Sequence, residues 1–266
     1  MPARIAIPMP HSEDCEYAER SIPQYERAVR LAGGEPVRIP LDQSPAAVMK
    51  IIERCDAILL PGSKADVDPA KFDSLRSPQT ASPDPARDAV DELLLQDAYN
   101  MRKPILGICY GLQILNVYRT GSLIQHIPDF LPEETRTRVN HEAGRSVAVA
   151  HAAEIEGDSK LAEIVRGKNA AASEGESDKI VVPVNSSHHQ SANSIGDGLR
   201  IVARCPDDGI VEAIEGTASD HFVLAVQWHP ERAVDEDEPS RAIFKALVEA
   251  ARLRRRQLAG DFESVR

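Results

Sequence analysis

Short aliphatic runs alternate with segments of helical spacing through the first 110 residues. Residues 3–8 (ARIAIP), 36–40 (PVRIP), 56–60 (DAILL) and 104–108 (PILGI) have the length and composition of strands. AILL within DAILL, and PILGI, are continuous apolar runs, which predicts strands buried on both faces. Between them, residues 21–33 put Tyr25, Ala28, Val29 and Ala32 on one helical face and stop at Gly33-Gly34. Residues 44–54 open on Ser44 and Pro45, an N-cap followed by a first-turn proline, and residues 85–100 are again helical. Strand and helix in alternation predict an α/β fold with a mostly parallel central sheet covered by helices on both faces. The second half is richer in strands, expected over 145–151, 179–185, 199–204, 210–214 and 222–227 (FVLAVQ), before a closing helix over 239–256. Residues 73–84 and 167–178 read as linkers or loops, and the second lacks apolar periodicity and is expected to move. No internal repeat or second boundary interrupts the pattern. A single domain over 1–258 is expected, with a disordered tail over 259–266.

Composition narrows the function. The chain has 266 residues with 31 Lys plus Arg and 42 Asp plus Glu, a formal net charge of −11. Nucleic acid and anionic membranes reward Lys and Arg, so neither is expected as the main partner. No apolar run reaches the roughly 18 residues of a spanning helix, and the start carries Asp14 and Glu16 where a secretory leader is apolar. Cys15, Cys55, Cys109 and Cys205 are widely spaced with no CxxC pair, which argues against a disulfide scaffold or a Cys-based zinc site and for a reducing cytoplasm.

One of those cysteines lies in GICYG, residues 107–111, between a buried strand and an apolar helical stretch. A nucleophile flanked by small residues at a strand-to-helix turn is an elbow that exposes it at the carboxyl edge of a sheet. The helix dipole at such a position favours a thiolate. A base and an orienting acid are then needed. QWHPE, residues 227–231, follows the last strand and offers His229 and Glu231 two residues apart, on one side of an extended chain. Gly62, in LLPGSKADVD just past another buried strand, offers an N–H that joins that of Tyr110 as an oxyanion donor pair. NSSHHQ, residues 185–190, brings polar groups to a strand end. With no carboxylate or Cys at ligand spacing beside its histidines, it reads as substrate contact or a packed polar network, and no metal site is expected. The basic run RLRRR, residues 252–256, suits the end of the last helix.

GICYGLQ, NSSHHQ and VQWHPE, in this order, resemble the class I glutamine amidotransferase-like superfamily. The chain is most similar to the peptidase branch that contains the bacterial γ-glutamyl-γ-aminobutyrate hydrolases. QYERAVRLAGGEPVRIP, LLPGSKADVDP, the RDAVDE stretch and DGIVEAIE carry the likeness over almost the whole chain. The resemblance implies a flavodoxin-like three-layer sandwich. It implies Cys109 as nucleophile, His229 as base, Glu231 as its orienter and the amides of Gly62 and Tyr110 as oxyanion donors. It further implies that Gln113, Ser187 and His188 contact the glutamyl end of a small-molecule γ-glutamyl substrate. No cofactor is implied, and a homodimer is compatible with it. The chain departs from the branch at Tyr110, where Arg is usual, at Ser63, where a second glycine is common, and at Arg119-Thr120-Gly121. These positions bear on the leaving amine, and the loops at 63–84 and 167–178 are the candidates to enclose it. The second reading is a glutaminase subunit that delivers ammonia to a separate synthase. A non-catalytic binding protein on the same fold is the third, and the retained Cys and His argue against it.

Overall fold

Nine strands form one sheet in the computed structural model, which describes residues 1–166 and 179–260. The expected loop at 167–178 and residues 261–266 of the expected tail lie outside the described residues. In chain order the elements are β1 (Arg4–Pro8), α1 (Cys15–Leu31), β2 (Glu35–Ile39), α2 (Pro45–Ile52), β3 (Ala57–Leu60), α3 (Pro85–Met101), β4 (Ile105–Ile108) and α4 (Tyr110–Tyr118). There follow β5 (Leu123–Ile124), the short helices α5 (Ile127–Phe130) and α6 (Glu133–Arg136), β6 (His151–Ile155), α7 (Lys160–Arg166) and β7 (Ile180–Val184). The chain closes with β8 (Ser191–Ala192), β9 (Leu199–Arg204), β10 (Val211–Gly216), β11 (Val223–Val226) and α8 (Glu238–Ala259). The sheet order is β2-β1-β3-β4-β11-β10-β9-β6-β7, and β5 pairs with β8 apart from it. The pairs from β2 through β11 are parallel, and those from β11 to β7 are antiparallel. The α/β expectation holds.

The apolar runs of the central strands follow from double burial. Ala57 and Leu59 of β3 enter one core cluster, while Ile58 and Leu60 enter the other. In β11, Leu224 and Val226 face the first cluster, Val223 and Ala225 the second. Successive side chains of a strand point to opposite faces, so a strand covered on both sides is apolar at every position. Ile22 and Val29 of α1 and Leu247 and Val248 of α8 close the first layer. Val48 and Ile52 of α2, Leu94 and Leu95 of α3 and Leu112 and Leu115 of α4 close the second.

Some boundaries differ from expectation. Helix α1 starts at Cys15 rather than 21, because Asp14 caps it by accepting the Tyr17 N–H at 2.9 Å. The strand expected over 145–151 lies instead over His151–Ile155. Residues 145–149 are exposed, and sheet pairing with β7 starts at His151. Helix α7, seven residues capped through the Ser159 hydroxyl, is too short to declare itself by period. Helix α8 extends through Ala259 and ends on Gly260 at φ 76°, where a glycine carries no Cβ penalty. The segment 73–84 is tied down rather than a free linker. The Gln125 side chain accepts from Ser77 N and Thr80 Oγ1 and donates to Ser74 Oγ and Leu75 O, and Asp66 accepts from Ala81 N.

What the fold does for function is to set β3, β4 and β11 side by side and parallel. Leu60 pairs with Gly107 and Ile108 with Val226, so the three segments that leave their carboxyl ends emerge together.

Candidate active site

Cys109 follows β4 directly and is the N-cap residue of α4, with φ 54° and ψ −106°. A residue with a side chain rarely occupies positive φ, and it stays there only where its surroundings fix it. The fixing groups are identifiable. The Cys109 N–H donates to the Val226 carbonyl at 2.9 Å. A Cβ on Gly111 would run into the Leu60 carbonyl oxygen and lie 2.8 Å from Leu60 Cβ, and one on Gly107 would lie 2.7 Å from the Gly111 oxygen. The strand, the turn and the helix therefore approach more closely than any side chain permits, which is the physical reason for both glycines of GICYG. Cys109 ends 6% exposed at the positive end of the α4 dipole. As the first residue of that helix, Tyr110 has an N–H with no intrahelical acceptor.

His229 stands three residues past β11, 4% exposed, with Nδ1 2.8 Å from Glu231 Oε1. The intervening backbone is not extended as the sequence suggests. Pro230–Arg232 form a 3₁₀ turn, and the turn itself folds Glu231 back onto the imidazole. The position of His229 is set by Asn185. Its side-chain oxygen accepts the His229 N–H at 2.9 Å and its amide donates to the His229 carbonyl at 2.9 Å. Gly62 leaves room for the ring. A Cβ there would sit 3.0 Å from His229 Cε1, 3.1 Å from Tyr25 Oη and 3.7 Å from Cys109 Cβ, so imidazole and cysteine converge on one point above Gly62. The Gly62 N–H donates to Tyr25 Oη at 3.0 Å, so the amide expected to hold an oxyanion already has a partner.

Burial alone would depress the His229 pKa. The charges of Glu231 and Cys109 and hydrogen bonds to both outweigh it and lift the value to about 9. Glu231 moves the opposite way: burial would raise it, and His229 and the nearby Arg232 guanidinium hold it below the usual carboxylate range. Imidazole and carboxylate thus stabilise each other's charged forms, next to a cysteine on a strained turn.

A family model for Peptidase C26 matches residues 6–231. The chain belongs to the Peptidase C26 family. Among similar proteins, a provisionally named glutamine amidotransferase of Mycobacterium tuberculosis is 36% identical over 228 residues, covering 85% of this chain and 66% of that protein's length. The gamma-glutamyl-gamma-aminobutyrate hydrolase PuuD of Escherichia coli K12 is 32% identical over 230 residues, covering 85% of this chain and 84% of that one. The solved structure of a provisionally named GMP synthase subunit from Thermoplasma acidophilum superposes with a TM-score of 0.63 at 14% identity, covering 97% of this chain and 98% of that chain. The last comparison establishes the likeness of fold alone. The C26 relatives include hydrolases, in keeping with the resemblance read from the three motifs.

Within this C26 chain the remaining candidates fall unevenly around Cys109. The Tyr110 side chain is buried on the far side of the elbow. Its hydroxyl donates to Asp88 Oδ1 at 2.6 Å, and the Arg87 guanidinium lies over its ring at 5.0 Å. The expectation that Tyr110 helps choose the leaving amine is therefore corrected; only its backbone N–H faces the turn. Gln113 is buried, and its amide donates to the Gln190 carbonyl at 3.2 Å. Ser187 accepts from Arg232 at 2.8 Å. Ser63 accepts from Ala65 N at 3.1 Å and is partly exposed. His188 and His189 diverge. His189 reaches Asp66 at 3.1 Å, and the carboxylate raises its pKa, whereas His188 turns into the interior.

That interior contains what spacing in the sequence concealed. His141, His151, His188 and Glu212 come from four separate segments, and all four are buried. The reading that no carboxylate accompanies the NSSHHQ histidines is corrected: β10 places Glu212 beside His188, and Asp66 meets His189. A charged residue within the buried strand DGIVEAIE was the available signal. Sequence reasoning also missed Asn185, Tyr25 and Arg87. Arg87 is fully buried, pairs with Asp91 at 2.8 Å and donates to the Pro10 and Pro61 carbonyls, joining the loops after β1 and β3. Among the described residues, no helix is long and apolar enough to cross a membrane.

Proposed function

We propose that the chain hydrolyses γ-glutamyl amides, including γ-glutamyl-γ-aminobutyrate-like substrates, through a γ-glutamyl thioester on Cys109. The observation that carries the reading is the convergence of Cys109 and the Glu231-bound His229 over Gly62. Cys109 Sγ attacks the δ-carbonyl as the thiolate, its proton resting on His229. The Tyr110 N–H, at the start of α4, supports the oxyanion. Loss of one such donor costs about 3 kcal/mol in comparable sites. The C–N bond breaks as His229 passes its proton to the departing amine. Water then gives a proton to His229 and its oxygen to the carbonyl, the C–S bond breaks, and glutamate leaves. Glu231 holds the imidazole by Nδ1, which leaves Nε2 to move the proton. The thiolate supplies the nucleophile, so the scheme requires no cofactor.

Buried Gln113 and Ser187 are assigned to the glutamyl α-groups, and the loop from Ser63 to the amine; His188, expected beside them, has its Nδ1 on the Gln190 carbonyl and faces the interior. The test is kcat/KM for glutamate release across a panel of γ-glutamyl amides, glutamine and the matching β-aspartyl amides. Turnover of several γ-glutamyl amides without β-aspartyl cleavage supports the reading; comparable β-aspartyl cleavage refutes it. The name of the mycobacterial relative favours a second reading, a glutaminase subunit. Glutamine turned over alone, and only with a co-purifying synthase, would select it.

A further inference from the structure

We propose that His141, His151, His188 and Glu212 form a closed binding site for one tetrahedral divalent transition-metal ion, with Zn²⁺ the best fit, in which Cys109 is not a ligand. His151 Nδ1 lies 3.0 Å from the Ala152 carbonyl and His188 Nδ1 lies 2.9 Å from the Gln190 carbonyl. A carbonyl only accepts, so both Nδ1 atoms carry the proton, and in the neutral ring Nε2 is a bare lone pair. His141 is arranged with its nitrogens exchanged: Nε2 lies 2.8 Å from Asp208 Oδ2, which leaves the lone pair on Nδ1.

All three lone pairs face one carboxylate oxygen. Glu212 Oε1 is 3.4 Å from His151 Nε2, 3.5 Å from His141 Nδ1 and 3.8 Å from His188 Nε2. None of these atoms has a hydrogen-bond partner among the described residues, and neither does Glu212 Oε2. Lone pairs turned on one another in a buried space repel unless a proton or a cation lies between them, and separations of 3.4 to 3.8 Å are long for a shared proton. The spacing has the size of such a cation. Bonds of about 2.0–2.1 Å in a tetrahedron set ligand atoms about 3.3 Å apart, close to the separations here and longer than a normal hydrogen bond. The four ligand atoms also lie within 4.8 Å of one another.

Each histidine already has the outer partner that metal-bound histidines use to fix tautomer and ring orientation. Three imidazoles and one carboxylate suit Zn²⁺ among available ions, and four protein ligands leave no open position, which makes the site structural. A cavity of about 370 Å³, lined in part by Asn140, His141, Glu142, His188 and His189, reaches the cluster from outside. The ion would join β6 and β10 to the segment after β7, which also carries the Asn185 clamp on His229.

The test uses the untagged full chain. Wild type is stripped with a chelator, incubated with Zn²⁺, desalted and assayed for metal by mass spectrometry, next to Glu212→Gln and His151→Ala. The expected result is about one equivalent of zinc per wild-type chain and less than about a tenth in each variant. At zinc about 100-fold above its Kd, Tm should rise by roughly 5–10 °C over the stripped protein. If the variants do not fold, Co²⁺ replaces Zn²⁺ in wild type, and the intense visible bands of tetrahedral Co²⁺ are expected to survive alkylation of Cys109. Less than about a tenth of an equivalent in wild type with Tm unmoved would overturn the proposal, leaving a proton-sharing network. Metal that leaves when Cys109 is alkylated would overturn it too, as a thiolate adduct.

Discussion

Asn185→Ala isolates the positioning of His229 from the chemistry of His229. The wild-type amide holds the His229 N–H and C=O in one reciprocal pair, both bonds 2.9 Å and both buried. Truncation strands a buried donor and a buried acceptor, each at a cost of about 1–3 kcal/mol, or about 2–6 kcal/mol together. If about 2 kcal/mol of that falls on the fold, Tm drops by roughly 4–8 °C. The rest is relieved by backbone movement, which carries the imidazole away from Cys109. A displacement worth about 1.4–2.8 kcal/mol in the transition state lowers kcat by about 10- to 100-fold. Asn185 has no assigned substrate contact, so KM should change less than about threefold. Thermal unfolding and steady-state kinetics on one γ-glutamyl amide provide both numbers. A variant with Tm within about 2 °C and kcat within twofold of wild type would show that the clamp does not place the base.

Two further predictions concern the neighbours of the elbow. Glu231→Gln removes a charge that lifts His229 to about 9, so the alkaline limb of kcat/KM should start near pH 9 in wild type and move to lower pH in the variant; an unmoved limb would show that Glu231 does not set the imidazole. The same raised pKa stabilises the fold fully below about pH 6.5, and that contribution is lost as pH rises through about 9, which urea midpoints across this window will register. Tyr110→Phe removes the hydroxyl bond to buried Asp88 and should cost about 1–3 kcal/mol in chemical denaturation while leaving the ranking of γ-glutamyl substrates unchanged; a reordered panel would put the side chain back on the substrate side.

The parts of the molecule legible in the sequence were those governed by local rules. Aliphatic runs such as DAILL and PILGI announced doubly covered strands, and GICYG announced the elbow, because Gly111 answers to the close approach of Leu60 and Gly107 to that of the Gly111 backbone. What stayed hidden depends on contacts between distant residues. Asn185 reaches His229 across 44 positions and Tyr25 reaches Gly62 across 37, and no periodicity encodes such pairs. His141, His151, His188 and Glu212 are spread over 71 positions of sequence and meet only because β6, β10 and two loops converge. Tyr110 misled for a related reason: the strained φ of Cys109 fixes the turn, and the next side chain is driven behind the elbow onto Arg87 and Asp88.

The central claim is a covalent γ-glutamyl intermediate on Cys109, and the most direct measurement is to trap it. Wild-type protein mixed with a γ-glutamyl amide, quenched in acid during the first turnovers and digested, is predicted to carry the mass of one glutamyl group on the peptide containing Cys109. That mass should disappear on treatment with hydroxylamine, which cleaves thioesters, and should be absent from Cys109→Ala. Glutamate release by Cys109→Ala at the wild-type rate, or the added mass on a peptide containing Cys15, Cys55 or Cys205, would contradict the account.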